Sequence, residues 1–169
     1  TREREGLLLC LVSAACFGAM PIFAKQAYAE GLGLTPLLAL LTDPDEEVRT
    51  FTCVILGNMG SPQTVPDLIR SLADPDLNVK HAAAEALGKI RDPLAVDPLI
   101  RSLASDLWLQ FPAAAALGDI GDARAVPPLI ALLAVPGANV PAIQALGKIG
   151  EAAAVEPLCA FLEDEEPSL

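Results

Sequence analysis

The chain has 169 residues, the length of one domain or one short run of repeats, and 53% of them are apolar, enough to bury a sizeable core and to exclude a disordered chain. Aromatics are only 4% and the filler is Ala and Leu, which disfavours a β-sandwich or barrel. Eleven Lys+Arg against 22 Asp+Glu give a net charge of −11, which repels phosphate backbones and anionic lipid, so no nucleic acid partner is expected.

Residues 1–33 stand apart. Arg2, Arg4 and Lys25 balance Glu3, Glu5 and Glu30, so the whole excess of negative charge lies in residues 34–169. Gly6 to Ala24 is uncharged and mostly apolar, long enough to span a membrane. Over residues 5–41, the run Cys16-Phe-Gly-Ala-Met-Pro-Ile-Phe-Ala-Lys25 with the Leu-rich stretch before it resembles the first transmembrane helix of EamA-type drug/metabolite transporters. Transport does not carry over, because nine helices of that ten-helix family are missing.

Three readings of this segment stay open. Gly18 and Pro21 divide it into two short helices that cap the first repeat, as solenoid ends require. Alternatively, residues 7–24 anchor the chain in a membrane, with the repeats outside the cell by the positive-inside rule. In the third reading, residues 1–33 are an unrelated join.

From residue 34 onward the sequence repeats itself. Leu34-Thr-Pro-Leu-Leu-Ala-Leu-Leu-Thr-Asp43 aligns with Val65 to Asp74, Val96 to Ser105, Val126 to Val135 and Val155 to Asp164. Between these blocks stand Ile55-Leu-Gly-Asn-Met-Gly60, Ala86-Leu-Gly-Lys-Ile-Arg91, Ala116-Leu-Gly-Asp-Ile-Gly121 and Ala145-Leu-Gly-Lys-Ile-Gly150. The expected units are 34–64, 65–95, 96–125 and 126–154, with a half unit at 155–169.

Within a unit, Val65, Leu68, Ile69 and Leu72 fall at i, i+3, i+4 and i+7, one apolar helical stripe. Pro in the first turn costs no hydrogen bond, since that N–H has no helical partner. Asp76 can cap a second helix, in which Val79, Ala83, Ala86, Leu87 and Ile90 share a face. Gly60, Gly121 and Gly150 end their helices as left-handed caps, and Arg91 takes that place in the second unit. Two such helices cannot bury their stripes alone. The fold expected is an all-α solenoid of stacked helical hairpins, about 30 residues each. Pro112 and Pro141 fall early in second helices, which should start late or bend there.

This spacing, with the residues V-x-P-L-I and A-L-G-x-I-G, resembles HEAT repeats of the short phycobilisome-lyase-like type. The resemblance implies an Asp/Arg ladder between neighbouring units. Asp43 or Asp45 with Arg49, and Asp74 or Asp76 with Lys80, are its candidates. Gln110 replaces the base in the third unit, so the ladder should fade towards the C-terminus.

Cys10, Cys16, Cys53 and Cys159 make no C-x-x-C pair and lie in apolar segments, which reads as buried, reduced thiols in a cytoplasmic protein. His81 is the only histidine, and no nucleophile, phosphate-loop or zinc motif occurs, so no catalytic residue, metal site or cofactor is assigned.

In HEAT-like solenoids the second helices line the concave face. Opposite the core face of the second unit lie His81, Ala84, Glu85 and Gly88. The rows through the other units read Thr50, His81, Phe111, Val140; Cys53, Ala84, Ala114, Ile143; Val54, Glu85, Ala115, Gln144; and Gly57, Gly88, Gly118, Gly147. A smooth apolar groove floor is therefore expected, with Trp108 and Phe111 as its large aromatics. The candidate binding residues are His81, Glu85, Trp108, Phe111, Val140, Ile143 and Gln144. The function expected is a non-catalytic scaffold that binds a protein or peptide along this face. The alternative, implied by the resemblance alone, is a lyase-type subunit that attaches a bilin to a phycobiliprotein.

Overall fold

The computed structural model describes residues 34–105, 107–135 and 137–165. Nine α-helices succeed one another there: α1 (Leu34–Ala39), α2 (Glu46–Met59), α3 (Val65–Ser71), α4 (Leu77–Ile90), α5 (Val96–Ser105), α6 (Leu107–Ile120), α7 (Val126–Leu133), α8 (Asn139–Ile149) and α9 (Val155–Glu165). A 3-10 turn over Leu40–Thr42 extends α1, and short 3-10 turns lead into α3, α5, α7 and α9. Among the described residues there is no strand, and the architecture is the all-α solenoid of helical hairpins.

Local chemistry places the helix ends. Asp45 and Asp76 cap α2 and α4, their carboxylates accepting the N–H of Glu47 (2.8 Å) and of Asn78 (2.8 Å) and Val79 (3.2 Å). The helices close in the left-handed region at Gly60 (φ 67°), Gly121 (φ 77°) and Gly150 (φ 71°), and at Arg91 (φ 60°), the described non-glycine residue that carries this strain. The two prolines behave differently. α8 has 11 residues against 14 for α2, α4 and α6, so Pro141 sits harmlessly in its first turn. By contrast, α6 runs unbroken from Leu107 through Pro112, against the expected late start. Pro112 is buried, and packing on both neighbouring second helices outweighs the one hydrogen bond its ring removes.

The second helices stack directly on one another, α2 on α4, α4 on α6 and α6 on α8, whereas first helices touch their neighbours sparsely. Close approach on one side only curves the array towards that side. Glycine makes the approach possible. A Cβ on Gly57, Gly88 or Gly118 would lie 2.6, 2.8 and 2.8 Å from the Cα of Ala86, Ala116 and Ala145 on the next second helix. Leu56, Leu68, Leu87, Leu99, Leu117, Leu129 and Leu146 are fully buried along the axis of this core. The expected core face of α4 is buried at Val79, Ala83, Ala86 and Leu87, with Ile90 partly covered.

Polar contacts tie the first two units together. Arg49 makes a bidentate pair with Asp74 of the following unit (2.9 and 3.0 Å) and donates to the carbonyls of Asp43 (2.7 Å) and Pro44 (3.2 Å). The carboxylate partner of Arg49 is thus Asp74 rather than Asp43 or Asp45. Further on, the positions equivalent to Asp74 are Ser105 and Val135. Gln110, equivalent to Arg49, turns its amide back to the carbonyl of Leu103 (3.0 Å), and its buried Oε1 finds no donor among the described residues.

Among the described residues, the last helix is poorly covered. Val65, Val96 and Val126 are 0%, 0% and 4% exposed, but the equivalent Val155 is 59% exposed. Cys159 on the same helix is exposed, which corrects the expectation that it is buried, while Cys53 is buried as expected. The readings of residues 1–33, as cap, membrane anchor or join, and those of Cys10 and Cys16, lie outside the described residues. Among the described residues no helix is long and apolar enough to cross a membrane.

Candidate functional site

The concave face is narrower than the sequence suggested. Cys53, Ala84 and Ala114 are wholly buried, and Gly57, Gly88 and Gly118 are buried against the next helix. These two rows, expected as an exposed floor, are the seams between repeats. α4 and α6 each pack against their own first helix and against a second helix on either side, whereas α2 and α8 have one on a single side among the described residues. Only a strip about one residue wide per turn is left to solvent.

That strip carries most of the candidate residues. On α4, His81 and Glu85 are exposed and meet at 3.4 Å, an i,i+4 pair. On α6, Trp108 is 77% and Phe111 54% exposed, so neither turns into the inter-repeat core. On α8, Val140 is 54% exposed and Gln144 is exposed, whereas Ile143 is half-buried and packs against the core. Leu77, 45% exposed at the start of α4, continues the apolar edge. A cleft of about 190 Å3 opens between α4 and α6, lined by Leu77, Asn78, His81, Trp108 and Leu109. Leu77 and Asn78 were not singled out in the sequence. Their signal is register, because Asn78 occupies the position of Trp108 one unit earlier.

The lysines at the ends of the second helices are engaged. At the C-terminal ends of the second helices, Lys89 donates to Asn58 (3.0 Å) and Lys148 to Asp119 (2.7 Å), each across a repeat seam. Among the described residues no three His, Cys, Asp or Glu side chains gather as metal ligands. Burial pushes the Cys53 thiol up to about 11, so it is no nucleophile at neutral pH. Burial would also raise the Asp74 carboxyl, but the Arg49 guanidinium and the Asp76 N–H outweigh it and hold the group below the usual carboxylate range. The arrangement offers apolar contact and a few polar groups, the His81–Glu85 pair among them.

Comparison with known proteins agrees with this architecture. The HEAT repeats model matches residues 34–110, and the PBS lyase HEAT-like repeat model matches residues 113–134 and 142–164. No curated protein matches the sequence. Among solved structures, the chain superimposes on a chain of the complex of CpcE and CpcF of phycocyanin lyase from Nostoc sp. PCC7120, with 25% identity and a TM-score of 0.69. The match covers 89% of this chain but 65% of that one, less than two thirds of its length. An engineered protein matches with 25% identity and a TM-score of 0.61, over 88% of this chain and 79% of its own. None of these comparisons supports the transporter resemblance of residues 5–41, whose last residues, from Leu34, form α1 and the turn after it. Over residues 34–110, 113–134 and 142–164 the chain is an all-α solenoid of HEAT-like repeats, the later ones matching the PBS lyase HEAT-like model.

Proposed function

We propose that the protein is a bilin lyase-type subunit whose own part is to hold protein, a phycobiliprotein client or a companion subunit, along the strip formed by α4, α6 and α8. The observation that carries the lyase reading is the likeness to the phycocyanin lyase complex over 89% of the chain. The division of labour follows from size and charge. The cleft beside Trp108 measures about 190 Å3, below the roughly 300–1,000 Å3 of sites that enclose small molecules. Lys89 and Lys148 on the concave face are already engaged, leaving little there to hold the carboxylates of a bilin. A wholly non-catalytic scaffold for other proteins is the second reading, and the same small cleft favours it. The unit boundaries 34–64, 65–95, 96–125, 126–154 and 155–169 belong to this proposal. So does a cytoplasmic setting, with which the free thiols of Cys53 and Cys159 agree.

The test is to mix the protein with a bilin and apo-phycocyanin, with and without a companion lyase-type subunit. Acceleration of a visible absorption band that survives denaturation supports the lyase reading. Tight binding of apo-phycocyanin with no effect on the bilin band supports the scaffold. Neither binding nor a spectral change would sink both.

A further inference from the structure

The exposed strip is not uniform along the array. In register across the second helices, Glu46 stands beside Leu77, Glu47 beside Asn78 and then Trp108, and Thr50 beside His81, Phe111 and Val140. Glu46 and Glu47 are exposed in the first turn of α2 and form no close ion pair among the described residues, although Arg49, already committed to Asp74, acts on Glu46 through space. The edge therefore runs from two carboxylates on α2, through a polar and half-apolar stretch on α4, to large apolar side chains on α6 and α8. Leu77, Trp108, Phe111 and Val140 supply four of the six large apolar residues exposed on the described surface. Their concentration on one edge marks an interface rather than scattered exposure.

We infer that this edge binds an extended segment of a partner protein that is basic at one end and carries bulky apolar side chains at the other. The inference rests on the reading of the concave face as a protein-binding surface and deepens it by naming what binds. The occupant follows from charge and spacing. Two exposed carboxylates without a close ion-pair partner favour Lys or Arg opposite them and disfavour acid. Packed helices lie about 8–10 Å apart, so α2 and α6 are separated by about 16–20 Å. An extended chain advances about 3.3 Å per residue, which places the apolar side chains about five or six residues from the basic ones. The segment crosses the second helices rather than lying along one of them. The cleft lined by Leu77, His81, Trp108 and Leu109 takes the first apolar side chain, and Phe111 and Val140 flank the next.

The chain supplies its own reporter, because Trp108 is its single tryptophan and is exposed in this strip. The probe is a synthetic peptide with two lysines, a spacer of about five alanine and glutamine residues, and two leucines, made in both chain directions. A control peptide carries glutamates in place of the lysines. The expected result is a saturable blue shift of Trp108 emission with the lysine peptide in one direction and at least about tenfold weaker binding of the control. Phe111→Ala should weaken binding at least about tenfold with the helical circular dichroism intact. The Glu46→Gln/Glu47→Gln double variant should weaken it about three- to tenfold and remove most of its dependence on added salt. Equal binding of the two peptides, or a double variant that binds with unchanged affinity and salt dependence, overturns the inference. If apo-phycocyanin binds while neither lysine peptide moves the emission, the inference falls and the proposed function stands.

Discussion

The same local sequence has opposite fates in the middle and at the end of this solenoid. Val96 and Leu99 of α5 belong to a V-x-P-L block and are wholly buried; Val155 opens the same block in α9 and is 59% exposed. Gly88 presses against the backbone of Ala116, whereas Gly147, in the equivalent position of α8, has nothing within 4 Å of the point where a methyl group would stand. The motif itself does not decide burial. The presence of a following second helix does, because each unit completes the core of the one before it.

This contrast is open to attack by substitution. The largest effect is expected in the core. Leu99→Ala should cost about 2–5 kcal/mol in urea unfolding, whereas Val155→Ala should stay within about 0.5 kcal/mol. Comparable losses at the two sites would show that α9 is covered in solution. Next comes the glycine row, where Gly88→Ala must push two helices apart and should cost about 1–3 kcal/mol. Gly147→Ala meets no obstacle and should gain up to about 1 kcal/mol from helix propensity. A loss at Gly147 would reveal an unseen neighbour there.

The smallest effect concerns the polar seams and is read against pH. The folded-state pKa of Asp74 lies below its ordinary value of 3.8, so its contribution is present above that value and is lost as pH falls through the depressed one. An acid titration of stability should show this loss in the wild type, and Asp74→Asn should lack that component while being less stable at neutral pH. Matching acid profiles for the two proteins would remove the Arg49–Asp74 pair as a source of stability.

The repeats, the Asp caps and the left-handed helix ends were legible in the sequence because each is local, set by a few residues and a period. The buried seams were not. A helical wheel assigns α4 one core face, yet Ala84 and Gly88 on its far side are covered because a second helix packs there as well. The clue was composition, since α6 reads Leu-Trp-Leu-Gln-Phe-Pro-Ala-Ala-Ala-Ala-Leu-Gly-Asp-Ile, apolar almost all round, as a helix with neighbours on several sides must be. Of the candidate residues, His81, Glu85, Trp108, Phe111, Val140 and Gln144 are exposed together on the strip, while Ile143 is drawn into the packing. The pairing of Arg49 with Asp74 instead of its own unit's acids is a matter of register between units, which only the stacked array reveals.

The orphaned Oε1 of Gln110 has a consequence for how the array comes apart. Stability in a stacked repeat protein is a sum of unit terms and nearest-neighbour couplings. Where Arg49 clasps Asp74 the coupling includes two charge-assisted hydrogen bonds; between the third and fourth hairpins Gln110 supplies no such bond, and one more exposed pair, Lys148 with Asp119, remains. An exposed pair contributes less than a bidentate, half-buried one, so the coupling between the third and fourth hairpins is weaker than that between the first and second. Opening should start at α9, where Val155 is exposed, and run inward through α8 and α7 towards α6. The concave strip straddles that joint, with Trp108 and Phe111 on its firm side and Val140 on the side that opens first. An occupant bridging the two would act as a clasp, and amide protons of the last three helices would exchange more slowly when it is bound.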